Sequence, residues 1–497
     1  IGGLMPLIFP SNTLSAGGFS VDNSCRFDDG ATASLTRTTE TPTNPDIYTF
    51  SVWIKRGNLG LANAKIFSVK TGSYGEEKLE FNADDLLWRK TDADAGNTDY
   101  ERETDAVFRD PGAWMHILIA YDSSDGTPGD RMKVYINGVQ ETSFGGSVDP
   151  DSSETSWLNT ASLTLYIGAA ASVTQYFDGY MAELAFVDGV AHAVTDFGEF
   201  DSDSPTIWKP KDISSGITWG NNGFYLDFED SSALGNDVSG NDNDFTVSNL
   251  AATDQATDTP TNNFATLNTL AANSGYTFSD GNLSLAINSV NDEEKIIVAT
   301  FGASSGTWYW EVKNTSSSNP NYIHAGYSTD EFISNYISGS QSTSNYTANN
   351  GYWNGIQGQG TASAGITVIR AGTASNYTVS NTFLQNSIAM FAIDLDNSKG
   401  WVGLDGTWIN DSSGNTGNPS TGAYPTWDSN DLLSTDKIWL PSITGYYSQP
   451  TCSLNFGNPP YANTSDAADD NGYGAFEFAP PSGYYAVCTK NLAEFGG

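Results

Sequence analysis

Reactive side chains are scarce in this chain, which has three cysteines and three histidines in 497 residues. Cys25, Cys452 and Cys488 are too few and too dispersed for a disulfide framework, and an odd count leaves at least one unpaired; Cys452 with Cys488 is the one pairing to consider. None of His116, His192 and His324 stands at a ligand-like spacing from another. Basic residues are also few, 21 against 59 acidic, for a formal charge of −38. Such a surface repels phosphate, so nucleic-acid binding is not expected. No apolar run approaches the length of a membrane span, so no membrane insertion is expected. The apolar lead Ile1 to Phe9 is short and lacks a basic leader, so it does not read as a secretion signal. Ile1 with Met5-Pro6 just downstream reads as processing or as an uncertain start. Long amphipathic helices are missing too.

What is abundant points the other way. Fifty Gly, 19 Pro, 24 Tyr, 25 Phe and 13 Trp favour many short strands joined by tight turns. The length suits roughly two to four domains. Tyr48 to Lys55 alternates, with Phe50, Val52 and Ile54 toward a core and Ser51, Trp53 and Lys55 on the opposite face. Lys65 to Val69, Lys78 to Asn82, Leu86 to Lys90, Ala113 to Tyr121 and Arg131 to Val139 continue as strands. Asn137-Gly138 is a hairpin signal, because a two-residue mirror-image turn needs positive φ at both positions. After a polar strap with Pro205 and Pro210, Phe224, Leu226 and Phe228 alternate again. The stretch from Ala251 to Asn263 lacks periodicity and is expected to be extended loop. The second block runs through Tyr276 to Ile287, Lys295 to Thr300, Gly306 to Lys313, Ile323 to Tyr327, Ser387 to Asp396, Lys399 to Leu404 and Ser453 to Gly457. There Trp308, Trp310 and Val312 share one face, and Tyr309 and Glu311 the other.

The order Trp53, Trp114-x-His116, Tyr135-x-Asn137-Gly138 and Phe177-x-Gly179-Tyr180-Met181-Ala182-Glu183-Leu184 resembles a laminin G-like, concanavalin A-type jelly roll over residues 20–200. Ser279-Asp280-Gly281-Asn282-Leu283, Trp308 to Val312, Ala325-Gly326, Asp394-Leu395-Asp396, Trp401 and Asn455-Phe456-Gly457 resemble a SPRY domain over 270–460. The resemblances imply an all-β chain of two antiparallel sandwiches, with a lead at 1–19, a turn-rich connector at 201–269 and a tail at 461–497. SPRY domains are protein-interaction modules, so the second resemblance implies that role. Met5-Pro6-Leu7, Pro10-Ser11-Asn12, Phe108-Arg109-Asp110-Pro111, Asp258 to Phe264 and Pro480 to Tyr484 with Thr489-x-Asn491-Leu492 resemble virion appendage or fibre-like proteins of tailed bacteriophages of marine hosts. That implies a virion location, self-association with a trimer as first expectation, and other virion proteins or a host surface glycan as partners.

Two ligand chemistries follow. Tyr336, Tyr346, Tyr352, Trp353, Asn354, Trp408, Tyr446 and Tyr447, expected in loops, offer rings and amides for sugars or cap the edges of the core. Asp227, Asp237, Asn241 and Asp242, or alternatively Asp28 and Asp29, either organise consecutive turns or hold a hard cation, and calcium is the one cofactor expected. No EF-hand spacing is present. Glycoside hydrolysis needs two carboxylates across the scissile bond. The Glu-x-Asp-x-x-Glu motif of relatives sharing the jelly roll is missing, and Glu76, Glu77 and Glu80 form only a weaker pattern. The chain therefore reads as a non-catalytic adhesive subunit, with capsid or tail decoration as the alternative and a polysaccharide depolymerase behind both.

Overall fold

The computed structural model describes residues 18–172, 174–272, 275–288, 295–317, 323–330, 353–358, 365–370, 377–431, 437–445 and 450–496. It divides into two compact units, one of residues 18–262 with Ser279–Gly281 and the other of 263–278 with 282–496. Strands dominate both, and Thr489–Phe495 is the one α-helix of more than a turn among the described residues. No helix there is long and apolar enough to cross a membrane.

The first unit packs two sheets face to face. One runs Val139–Glu141, Met132–Ile136, Trp114–Asp122, Ile47–Arg56, Gly179–Asp188, Ser24–Phe27, Gln255–Ala256, with Phe224–Leu226 also paired to Gly179–Asp188. The other runs Phe144–Val148, Thr98–Val107, Asp85–Thr91, Gly75–Asn82, Ala64–Thr71, Thr164–Ile167, Ser34–Thr38, Thr246–Ser248. Between them lie Tyr48, Phe50, Val52 and Ile54 from one sheet and Ile66, Phe67, Leu79 and Trp88 from the other, as the alternation requires. Asn137 and Gly138 take φ of 48° and 79°, the mirror-image turn that joins two neighbouring strands.

The expected connector at 201–269 is not a separate subdomain. Phe224–Leu226, Thr246–Ser248 and Gln255–Ala256 are sheet strands, and Phe224, Leu226, Phe228, Leu234 and Phe245 fill the same core. Ala251 to Asn263, expected to be extended loop, holds a 3-10 turn at Ala252–Asp254 and the strand Gln255–Ala256, and its Asp258 is fully buried in an ion pair with Lys55 at 2.7 Å. The second Asp258 oxygen accepts the Trp114 indole N–H at 2.8 Å, and its carbonyl accepts the Ser24 hydroxyl. Residues with no apolar period are thereby drawn into the interior by one charge.

The second unit also has two sheets. One runs Tyr276–Ser279, Ser284–Ile287, Thr451–Asn455, Thr307–Asn314, Ile388–Asp394, Lys399–Leu404, Thr407–Trp408; the other runs Lys295–Val298, Trp439–Gly445, Ile323–Thr329, Trp353–Gly358, Ile366–Ile369, Tyr377–Val379. Trp308, Trp310 and Val312 enter the main core while Tyr309 packs in a second cluster behind the sheet. The residues expected to form a tail cover that back face. Tyr485–Ala486 pairs parallel with Thr307–Asn314, and Phe476, Tyr484 and Cys488 are buried. Glu311 anchors them, accepting the N–H groups of Glu477 and Phe478 at 3.1 and 2.8 Å, with Tyr309 Oη and Asn455 Nδ2. Burial raises its pKa to about 6. All three cysteines are buried, and none is joined in a disulfide among the described residues.

Removing one partner of a buried ion pair strands the other charge, so Asp258→Ala should cost about 3–5 kcal/mol. Denaturant unfolding of the variant measures it, and a loss below about 1 kcal/mol, the range of an exposed pair, would show that Lys55 finds another partner.

Candidate functional site

The outward side of the first unit's sheet that contains Ile47–Arg56 and Gly179–Asp188 is sealed. Trp53, Leu118, Ala182, Ala185 and Val187 on that side are covered by Val194, Phe197, Trp208, Ile213 and Trp219 from the strap that follows Gly179–Asp188. His116 lies fully buried in this layer, stacked on Trp53 with centroids 5.0 Å apart. Its Nδ1 accepts the Trp208 indole N–H at 3.1 Å, and its Nε2 meets Ser51 Oγ at 2.8 Å. Burial lowers its pKa to about 3, so the ring is a neutral structural link between strap and sheet. Glu183 sits at a bulge in Gly179–Asp188 with φ of 50° and accepts the Tyr225 hydroxyl at 2.6 Å. Burial pushes its pKa up to about 8.

The weaker glutamate pattern is structural as well. Glu77 is buried and accepts Tyr48 Oη at 2.9 Å, Ser156 Oγ at 2.8 Å and the Leu158 N–H at 2.9 Å. Glu80 pairs with Lys65 and, at 2.7 Å, with Lys78, while the Glu76 carboxylate stands 3.8 Å from both lysines.

An open groove of about 670 Å³ lies beside the end of Ser34–Thr38, lined by Thr39, Glu40, Thr41, Ala161, Ser162, Asn221, Asn241, Asp242 and Asn243. Its frame is held by side-chain amides. Buried Asn222 accepts the Glu40 N–H at 2.7 Å and returns its own amide to the Glu40 carbonyl at 2.9 Å. Asn243 donates to the carbonyls of Asn221 and Gly223, and its oxygen accepts Arg37. Asn241 donates to the carbonyls of Gly220 and Gly223 at 2.7 and 2.9 Å. The exposed carboxylates of Glu40 and Asp242 and the hydroxyls of Thr41 and Ser162 line this fixed frame without a side-chain hydrogen bond among the described residues. Fixed acceptors beside flexible hydroxyls suit a polyhydroxylated ligand.

The cation expectation at Asp227, Asp237, Asn241 and Asp242 resolves into turn building. Asp237 accepts the N–H groups of Tyr225, Ser239 and Asn243 and the Ser239 hydroxyl, all between 2.8 and 2.9 Å, so both its oxygens organise the turn. Asp227 accepts the Glu229 N–H, and Asp227, Asp237 and Asp242 do not converge. Among the described residues, the acidic, histidine or cysteine side chains that do meet in a threesome are Asp28, Asp29 and Asp178, with one oxygen of each within 4.8 Å of the others. Asp28 and Asp29 are legible in the sequence; Asp178 is the unnamed residue inside the Phe177-x-Gly179 motif.

The aromatic candidates are placed differently from expectation. Trp353 and Asn354 are in a strand, not a loop, and both are buried; the Trp353 indole donates to Ser442 Oγ at 3.1 Å and the Asn354 amide to the Asp431 carbonyl at 3.1 Å. Trp408 is half-buried against the cluster behind the second unit's sheet. Tyr336, Tyr346, Tyr352, Tyr446 and Tyr447 lie outside the described residues.

Residues 28–193 match the Laminin_G_3 family, described as the Concanavalin A-like lectin/glucanases superfamily. The fold of the first unit is accordingly a concanavalin A-like jelly roll. No curated protein matches the chain. Among solved structures it is similar to a putative carbohydrate binding protein from Bacteroides ovatus ATCC 8483, at 15% identity and a TM-score of 0.32, over 47% of this chain and 61% of that one. The chain thus spans less than two thirds of that relative. A heptameric SAP-like pentraxin from Limulus polyphemus matches at 17% identity and a TM-score of 0.27, over 35% of this chain and 80% of that one. The SPRY domain of human HERC1 matches at 14% identity and a TM-score of 0.23, over 37% of this chain and 89% of that one.

Glu183 gives the sealed layer a pH signature. A carboxyl whose folded pKa is raised contributes stability that is complete below its unfolded pKa and is lost as pH rises through the folded one, here about 8. The melting temperature should therefore fall between about pH 5 and about pH 9 by more in the wild type than in Glu183→Gln, whose amide cannot ionise. Equal slopes in the two proteins would place the charge elsewhere.

Proposed function

We propose that this chain is a non-catalytic binding subunit that holds neutral glycans in the groove of its first sandwich and is displayed in many copies on a tailed-phage virion. The observation that carries the glycan reading is the groove itself. Glu40, Thr41, Ser162 and Asp242 present unused side-chain oxygens on an amide-fixed frame, in a domain matched by a lectin and glucanase family. With two carboxylates at the rim and a chain charge of −38, sulphated or sialylated chains are repelled and neutral sugars accepted. The virion assignment, as an appendage or fibre subunit contacting other virion proteins, rests on the phage-like sequence segments at both ends of the chain. Weak polar sites gain working strength through repetition, which favours a homo-oligomer, with a trimer as the first form.

The test is a glycan array read with wild type, Thr41→Trp and Asp242→Asn. Thr41→Trp fills the groove from an exposed position, and Asn tolerates the φ of 58° at position 242. Each should weaken binding to neutral glycans about tenfold, equivalent to about 1.4 kcal/mol, with unchanged melting. Retained binding in both variants, or a preference for acidic glycans, would remove the groove from the account. Light scattering that returned a monomer would remove the multivalent part.

A further inference from the structure

Away from the groove, the end of Ser24–Phe27, the start of Gly179–Asp188 and the turn after Ile47–Arg56 bring Asp28, Asp29 and Asp178 together. Three carboxylates at this spacing repel one another, and none of them makes an ion pair among the described residues. The surroundings relieve the repulsion only in part, through the Arg56 charge acting on Asp178 and backbone N–H groups at Asp28. Asp28 Oδ1 accepts the Gly30 N–H at 2.8 Å, and Asp29 Oδ1 accepts the Asn58 amide at a long 3.3 Å.

Asp178 is the informative member. It is only 3% exposed, and its Oδ1 accepts the Asn58 N–H at 2.7 Å, yet its buried Oδ2 has no hydrogen-bond partner among the described residues. A buried carboxylate oxygen without a partner is costly enough that native folds rarely keep one without a use. Burial, with the Asp29 and Asp28 charges beside it, pushes its pKa well above the usual carboxylate range. The backbone is also shaped to admit it. A Cβ on Gly57 would lie 1.7 Å from Asp178 Oδ1 and 2.9 Å from its Cγ, so only glycine leaves room for the carboxylate here.

We propose that Asp28, Asp29 and Asp178 hold a hard divalent cation of the calcium class, which ties the first strand of the jelly roll to its last long strand. Oxygens bound at about 2.3–2.6 Å to one ion stand at most about 5 Å apart, which the observed 4.8 Å limit satisfies. The donor set is all oxygen, without the imidazole or thiolate that zinc and the later transition metals favour. Three protein carboxylates leave further positions to water, which calcium's flexible coordination accommodates and the stricter octahedron of magnesium does not. The ion supplies the missing partner for Asp178 Oδ2 and cancels the repulsion among the three. This site shares no residue with the groove, so either assignment can fail without the other.

The experiment uses the full chain, dialysed against EDTA and then titrated with calcium chloride while melting temperature and heat of binding are followed. The expected result is a rise of several degrees with measurable heat, lost in Asp29→Asn and Asp178→Asn and kept in Asp242→Asn. Asp29 is half-exposed, so its variant reports on binding even where Asp178→Asn fails to fold. No shift and no heat in the wild type, a full response in Asp29→Asn, or an equal response to magnesium at the same concentration would each overturn the assignment.

Discussion

The first sandwich depends on burying its central strands on both faces. In an antiparallel sandwich one face of each sheet normally meets water, and polar residues alternate outward. Here the strap with Trp208 and Trp219 covers that outward side, so Ile47–Arg56 and Gly179–Asp188 are interior throughout, apart from the partly exposed Ile47 at one end. Every polar residue that alternation placed outward must then find a partner without solvent. Lys55 takes Asp258, Ser51 and Trp208 take the two nitrogens of His116, and Glu183 takes Tyr225. The ion pair, the neutral imidazole and the raised carboxyl pKa share that single cause.

The same constraint decides where a ligand can bind. A sheet face roofed by indoles offers no platform, so the proposed recognition falls to the loops, where the chain is held by amides. At the groove Asn222 holds both the N–H and the carbonyl of Glu40, and Asn243 holds the carbonyls of Asn221 and Gly223. At the other set of loops the backbone is fixed instead by glycine, and three acids converge where a side chain at position 57 would collide.

Much of the architecture was legible where apolar alternation and turn chemistry agree. Asn137-Gly138 and the Trp308, Trp310, Val312 face are read correctly because each depends only on neighbours in sequence. The strand Thr98–Val107 is not, since its inward positions are Tyr100, Arg102 and Thr104 and two of the three are polar. Arg102 is accommodated by Asp149 and the Val148 carbonyl, far along the chain, which no local pattern announces. The supposed connector fails for a similar reason. Its short strands complete sheets begun some 200 residues earlier, as in the pairing of Thr246–Ser248 with Ser34–Thr38. For the candidate sites, clustered Asp and Asn residues at 237–244 are conspicuous in sequence yet serve the turn. Asp178 is inconspicuous, and it completes a cluster only through long-range strand pairing of Phe27 with Gly179.

Under the proposed function, binding occurs at the amide-fixed loops and leaves the roofed sheet untouched. Hydrogen–deuterium exchange with a bound neutral oligosaccharide tests it directly. Exchange should slow in residues 39–41, 161–162, 221 and 241–243, with no change in 47–56 or 179–188. Slowing confined to the strap or to the second sandwich, with the groove segments unaffected, would contradict it.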